Sequence, residues 1–413
     1  ELLERIRDIR SSERRLYQKV LDIYATSVDY TPDAEQSQRF FATVQNKMHW
    51  ATHGHTAAEV IIERADAAKP FMGLQSTRPG GVVRKDDVGI AKNYLTEEEL
   101  QVLNRICGGQ IDVAIGKVVY TQFLNSRGGI EADVTVSRLG LDRFLILDAA
   151  ALQNRTFTWL QAQIQPDEFA VATDVSSAFA MLGVTGPNSR ALLRKVTDAD
   201  LSNEKFPFAT SQEIDIAYAK ARATRMTYVG ELGWELLVPT EFVQGVFDAL
   251  IDAGKAFDLK LAGYHALNSL RQEKGYRHWG HDIGIEDTPL EAGLGFAVKF
   301  DKAAFNGRER LLQQKNEGVK RRLVQFKLQD DQHLIYHNEP IWRNGVMVEH
   351  MTSGMFGHTL GAAVGMGYVK HSEVVTADFV NSGSYEIEIA TVRVPAIASL
   401  QPFYDAKSER VKG

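Results

Sequence analysis

GKVVYTQFLNSRGGIEADVTVSR, residues 116–138, is two strands and a tight turn. Val118, Tyr120 and Gln122 alternate with Val119, Thr121 and Phe123, a β-rich run of period two. Asn125, Ser126, Arg127, Gly128 and Gly129 supply turn chemistry, since glycine reaches the positive φ a hairpin requires. Beyond the turn, Ile130, Ala132, Val134 and Val136 alternate with Glu131, Asp133, Thr135 and Ser137. Asp133 stands out, because an acid inside a β-branched strand is disfavoured by propensity. Either it lies on a solvated face of the sheet, or something other than strand stability keeps it there.

Around this hairpin, composition sets the limits. The chain has 413 residues, 44% hydrophobic and 24% charged, as in an ordinary globular protein of two or three domains. A net charge of −6 supplies no global basic field for nucleic acid or anionic lipid. The one cysteine, Cys107, excludes an internal disulfide and points to a reducing compartment. No apolar run approaches the ~20 residues that span a bilayer, and no secretory leader opens the sequence. The expected setting is cytoplasmic. The first residue is Glu rather than Met, so a trimmed piece of a longer chain is expected.

The first hundred residues are expected to be helical. Leu2, Ile6, Ile9, Leu16, Val20 and Ile23 recur at helical spacing, with interleaved acids and bases on the other face. Thr56 with Glu59, and Thr96 with Glu99, have capping-box spacing. His49, His53 and His55 precede the first of these boxes. His49 and His53 are four apart and could share a metal, but no fourth ligand has suitable spacing, so packed or capping histidines are expected. The segments VQNKMHWATHGHTAAEVI, RKDDV and IAKNYL resemble the virulence RhuM family, over residues 1 to about 106.

After Cys107, Gly108 and Gly109 the pattern changes without a long linker. FLIL from Phe144 is a strand that Asp148 follows, and a helix is expected over 153–164. FAMLGV (179–184) is expected to be a buried strand, broken by Thr185, Gly186 and Pro187 ahead of a helix. TRMTYVGELGWELLV (224–238) is strand, glycine turn and strand, with Glu231 at the turn and Glu235 in the second strand. Amphipathic helices are expected over 242–256 and 264–275, the second carrying Ser269, Leu270 and Arg271. Short strands at 323–328, 341, 346–349, 365–369 and 385–389 suggest a small β-barrel or sandwich. The glycines of TSGMFGHTLGAAVGMGYV (352–369) form no phosphate loop, because no strand–GKT–helix context surrounds them.

The motifs GGIEAD, GVTGPNSR, YVGELGWE, SLR, GHDI and TPLEAGLG resemble the aminomethyltransferase family. That family includes the glycine cleavage T-protein and the C-terminal folate-binding half of dimethylglycine and sarcosine dehydrogenases, and the form GGIEAD is nearer the dehydrogenase branch. The resemblance implies an α+β chain: a helical RhuM-like region over 1–106, a folate-binding domain over 107–315 lacking its family's first segment, and a C-terminal β-barrel domain over 316–413. A sheet without its first strands is expected to expose an edge. It also implies tetrahydrofolate as cofactor, Asp133 as the catalytic residue facing the substrate amine, Tyr120 lining the pocket, and Glu231 gripping the pterin edge. A carboxylate can accept the ring N–H and the exocyclic amine of a pterin as a pair. Arg271 is implied in the folate site, where its planar fork could hold a carboxylate or carbonyl; otherwise it is an ion pair with Glu273 or another acid. His281 and Asp282 are weaker candidates.

The implied activity is tetrahydrofolate-dependent one-carbon transfer from a methylated amine or its iminium. No flavin domain is recognisable, so association with a flavin-dependent dehydrogenase domain on another chain is expected. The alternative is a non-catalytic fusion or interaction protein, RhuM-like and virulence-associated, with an incomplete folate pocket.

Overall fold

The structure is a computed structural model and describes residues 102–140, 143–165, 168 and 170–413. The readings made for residues 1–101, including His49, His53, His55 and both capping boxes, lie outside them. The chain divides into two compact units, the larger made of Leu103–Gln163 and Asp174–Gly413.

Within the larger unit the opening hairpin forms as its sequence directs. β1 (Val118–Leu124) pairs antiparallel with β2 (Ile130–Arg138), and β2 pairs with β3 (Phe144–Leu147). The Asn125 side chain organises the turn, accepting the backbone N–H groups of Arg127 at 3.0 Å and Gly129 at 2.9 Å. Gly128 has φ +79°, the left-handed region that costs glycine nothing. Gly129 is needed for a different reason: a Cβ there would lie 1.9 Å from the Ile285 carbonyl oxygen. Gly129→Ala is therefore expected to cost roughly 2 kcal/mol or more, seen as a lower urea midpoint. Gly245→Ala is the control. It lies in the helix Val243–Gly254 with nothing within 4 Å of a new Cβ, and should stabilise slightly through helix propensity.

A second sheet has the order β4 (Phe179–Thr185), β7 (Gly233–Pro239), β6 (Ala219–Thr224), β5 (Ser211–Ile216), all antiparallel. The helices Ser189–Leu193 and Val243–Gly254 cover one face, burying Trp234, Leu236, Val238, Phe206 and Leu250. Each such large apolar side chain contributes about 1.5–3 kcal/mol by leaving water. The expectation that FAMLGV is buried is corrected here. β4 is an edge strand, so only Val184 and the partly buried Leu182 reach that core, while Phe179 and Met181 on the other face are exposed. The two sheets meet where Lys117 bridges Thr210 and the Val118 N–H donates to the Ala209 carbonyl at 2.9 Å.

The junction at Cys107 is locked by Lys302. Its ammonium donates to the carbonyls of Asn104 at 2.7 Å, Cys107 at 2.8 Å and Gly109 at 2.9 Å. Two of these carbonyls follow or end the short helix Val102–Ile106, and a cation suits that end of a helix. Burial pulls the Lys302 pKa down to about 8.

The C-terminal strands close into a barrel. β8 (Arg321–Leu328), β9 (Pro340–Arg343), β10 (Val346–Gly357), β11 (Ala362–Lys370), β12 (Tyr385–Ile389) and β13 (Val392–Ser399) follow the order β10-β11-β8-β13-β12-β9. Closure removes the free edges that six short strands would otherwise present. Phe326, Ile341, Tyr385 and Ile387 fill the interior. β13 was not among the strands expected from the sequence, and it holds Pro395 in its middle. The strand tolerates it because Pro395, opposite Glu386 of β12, lies just before the β13–β8 register begins at Ala396, so its missing N–H falls at the end of that ladder. Among the described residues no helix is long and apolar enough to cross a membrane.

Candidate functional site

The β1–β2 register sets Gln122 opposite Asp133 and Tyr120 opposite Thr135, so Tyr120, Gln122 and Asp133 share one face of the hairpin. Asp133 is half-buried and does not point into open water. Tyr120 donates its hydroxyl to Asp133 Oδ2 at 3.0 Å, and Gln122 donates Nε2 to Oδ1 at 2.8 Å. Burial pushes the carboxyl up to about 6, against the two hydrogen bonds and the Arg277 guanidinium, which favour its charge. Burial and the adjacent carboxylate push the Tyr120 phenol well above its ordinary range. Gln122 is fully buried, and its Oε1 has no partner among the described residues. At neutral pH the arrangement is a fixed, partly dehydrated carboxylate suited to orienting a cationic or N–H-bearing group.

The surrounding loops complete this face. Trp279 Nε1 donates to the Ile130 carbonyl at 2.9 Å, tying residues 276–282 to the start of β2. Arg277 donates to the carbonyls of Gly275 and Ala292, at 2.7 to 3.0 Å, and to no carboxylate among the described residues. Tyr228 donates to the Arg277 carbonyl at 2.7 Å and stacks on Tyr276. Phe296 stacks on Tyr120, centroids 6.1 Å apart, yet is 71% exposed. An aromatic ring left open beside a positioned carboxylate offers a platform for a flat ligand.

The two acids of the 224–238 stretch differ. Glu231 accepts the Tyr404 hydroxyl, a bond from the C-terminal segment back to the turn. Glu235, on β7, faces away from Trp234 and Leu236, since successive strand residues alternate. Burial lifts its pKa to about 6, and no hydrogen bond to it is formed among the described residues. Arg271 is fully buried in the helix Tyr264–Glu273. Its guanidinium donates to Asp282 Oδ2 at 2.6 Å, to the Tyr276 carbonyl at 3.0 Å and to Asn268 Oδ1 at 2.7 Å. The ion-pair partner is thus Asp282, and Glu273 instead accepts the backbone N–H groups of Thr359 and Leu360. Asp282 also accepts the Thr352 and Ser353 hydroxyls and the His278 N–H, so this pair joins the helix to β10 of the barrel. His281 is exposed, and its ring lies against His278, tilted by 45°. Asp148 accepts the Thr156 hydroxyl and the Ala149 N–H, and burial raises its pKa.

Sequence reasoning passed over Gln122, Arg277 and Phe296. The signal for Gln122 was available, because it shares a face with Tyr120 at i+2. Arg277 and Phe296 reach the site through loops, whose course no periodicity reveals. Among the described residues no group of three or more His, Cys, Asp or Glu side chains is arranged to hold a metal.

Comparison with known proteins bears on the whole unit. The GCVT N-terminal domain family matches residues 97–302, and the glycine cleavage T-protein C-terminal barrel domain family matches residues 321–405. The virulence protein RhuM family matches residues 1–126, overlapping the first of these. The chain is 42% identical to 4-methylaminobutanoate oxidase (formaldehyde-forming) of Paenarthrobacter nicotinovorans, over 76% of this chain and 38% of that protein. It is 39% identical to mitochondrial sarcosine dehydrogenase of Mus musculus, over 72% of this chain and 34% of that protein. It thus spans well under half the length of these two relatives. The aminomethyltransferase of Halothermothrix orenii is 37% identical over 64% of this chain and 72% of that protein. Among solved structures, the glycine cleavage system aminomethyltransferase T from Bartonella henselae superposes with a TM-score of 0.64 at 26% identity, covering 74% of this chain and 81% of that one.

Proposed function

This chain belongs to the aminomethyltransferase (glycine cleavage T-protein) family, and from that premise we propose that it transfers a one-carbon unit from the iminium of a methylated amine to tetrahydrofolate. The observation that carries the proposal is the half-buried Asp133 carboxylate, held by Tyr120 and Gln122 beside an open aromatic face. The residues fit a folate. Gln122 Oε1 and Glu235 are acceptors without partners among the described residues, as a ligand rich in N–H groups requires. Tetrahydrofolate, when bound, supplies the two nitrogens that receive the carbon.

The chain's own groups do the rest. The Asp133 carboxylate stabilises the cationic iminium nitrogen; it takes the proton that a folate nitrogen sheds on bonding the carbon and delivers it to the departing amine. Tyr120 and Gln122 keep the carboxylate in one orientation and, with a smaller contribution from Arg277, favour its charged form against burial. Of the two acids on the 224–238 hairpin, Glu235 is the better pterin partner, because Glu231 is engaged by Tyr404. Arg271 acts at one remove, through Asp282, by fixing the loop that carries Arg277. The iminium comes from an amine-oxidising, flavin-dependent dehydrogenase domain.

A thermal-shift titration tests this reading. Ligand at 100 times its dissociation constant adds about 2.7 kcal/mol to the native state, a rise of several degrees in the midpoint. Tetrahydrofolate is expected to produce that rise in the wild-type chain and in Glu231→Gln, but not in Glu235→Gln. No rise at ligand well above micromolar supports the non-catalytic reading. A rise lost in Glu231→Gln and kept in Glu235→Gln reverses the assignment of the two acids.

A further inference from the structure

A cleft of about 560 Å³ opens on the other side of the Asp282 junction. It is lined by Gly280 and His281 of the loop, His337 and Asn338 ahead of β9, Glu349 to Thr352 of β10, and Arg321 and Tyr368 of the barrel. It shares no residue with the Tyr120–Asp133 face, and its size suits a small ligand.

Its donors are in excess once internal bonds are counted. The Thr352 hydroxyl is spent on Asp282 and the Met366 carbonyl, and the Tyr368 hydroxyl on the Asp282 carbonyl. Arg321 is different. One of its nitrogens bonds Asp287, and its guanidinium lies 3.4 Å over the Tyr368 ring. The side chain is still 31% exposed, and its remaining N–H groups have no partner among the described residues. An arginine fork clamped flat on an aromatic ring is preorganised for an oxyanion, because its rotamer entropy is already lost. His281, His337 and His350 are exposed around it, and Asn338 adds an amide.

The acids around the cleft are Glu349, 3.5 Å from His350, Asp287 on Arg321, and Glu291, whose charge also acts on Arg321. His278 backs His281 with ring centroids 4.7 Å apart, and the buried Arg271–Asp282 pair lies behind Thr352. These acids offset the charge of the arginine, so the grip on an anion comes from the directed N–H donors of the Arg321 fork rather than from a net positive field.

We propose that this cleft is a second binding site, for a small oxyanion gripped by the Arg321 fork with N–H donors of His281, His337 and His350 around it. The ligand chemistry is that of a phosphate group or a paired carboxylate.

Calorimetric titration of the chain with inorganic phosphate, and separately with succinate, tests this without any folate. One saturable site is expected with a dissociation constant below about 1 mM. The tighter of the two anions names the source chemistry. Arg321→Gln should abolish binding. The double variant His337→Gln with His350→Gln, at exposed positions, should weaken binding at least about fivefold through loss of two N–H donors. It decides the matter should Arg321→Gln not fold. Absence of saturable binding of either anion, or binding whose strength the histidine variant leaves unaltered, overturns the proposal.

Discussion

Asp133→Asn is expected to abolish one-carbon transfer, by roughly 10²- to 10⁴-fold, while leaving the fold intact and more stable. The loss of rate follows from removing the charge that faces the reacting nitrogen. The gain in stability follows from the same charge. Burial raises the Asp133 carboxyl from 3.8 to about 6 in the folded chain, so the folded state holds its proton more tightly than the unfolded state does. Ionising it therefore costs stability. The penalty is absent below the unfolded value near 3.8, grows as pH rises, and is complete above pH 6. Two pKa units correspond to roughly 3 kcal/mol at most. Asn keeps an acceptor for Gln122 and turns an N–H toward the Tyr120 oxygen, so the hydrogen bonds survive. The variant should melt higher than wild type at pH 7.5, and the difference should vanish toward pH 4. Wild-type transfer should rise with pH through about 6, as the carboxylate forms. A variant that is inactive and also less stable at pH 7.5 would mean that Asp133 is a structural residue.

The second large effect concerns Asp282. Its side chain is fully buried and bonds the buried Arg271, two hydroxyls of β10 and one backbone N–H. Asp282→Asn leaves the guanidinium charged, buried and unpaired, and should cost roughly 3–5 kcal/mol. Adding Arg271→Met removes the stranded charge, so the double variant should be more stable than Asp282→Asn alone. Urea unfolding of the wild type, both single variants and the double variant gives the coupling energy directly. Additive losses would show that the two side chains act independently. Because the pair joins the helix Tyr264–Glu273 to the barrel, the unfolding transition of Asp282→Asn should also broaden or split.

The opening hairpin was legible because its determinants are local. Period-two alternation, an Asn–Gly-Gly turn and an out-of-place aspartate all lie within residues 116–138. The C-terminal barrel was legible for a similar reason, as short β-rich runs parted by glycine and asparagine turns. What stayed hidden depends on contacts across the chain. Whether β4 is buried is decided by its place at a sheet edge, which its apolar sequence does not record. β13 carries Pro395 in its middle, which is tolerated because its missing N–H falls just before the β13–β8 ladder begins at Ala396. The resemblance gives the pterin edge to Glu231, and the bond that engages this acid comes from Tyr404, 173 residues away. Arg271 has two readings in the sequence, a folate-site fork or an ion pair, and its buried partner Asp282 lies eleven residues on in a loop that no periodicity places. The resemblance located the family, and the packed structure shows which of the named side chains are already engaged by neighbours.

The central claim is that the Asp133 carboxylate faces the nitrogens of a bound folate. A crystal structure of the chain soaked with tetrahydrofolate measures this as one distance. The account predicts a folate nitrogen within about 4 Å of the Asp133 carboxylate, directly or through one water, with the pterin edge against Glu235. Folate bound with its nitrogens more than about 8 Å from that carboxylate, with Asp133 still closed by Tyr120 and Gln122, would contradict it.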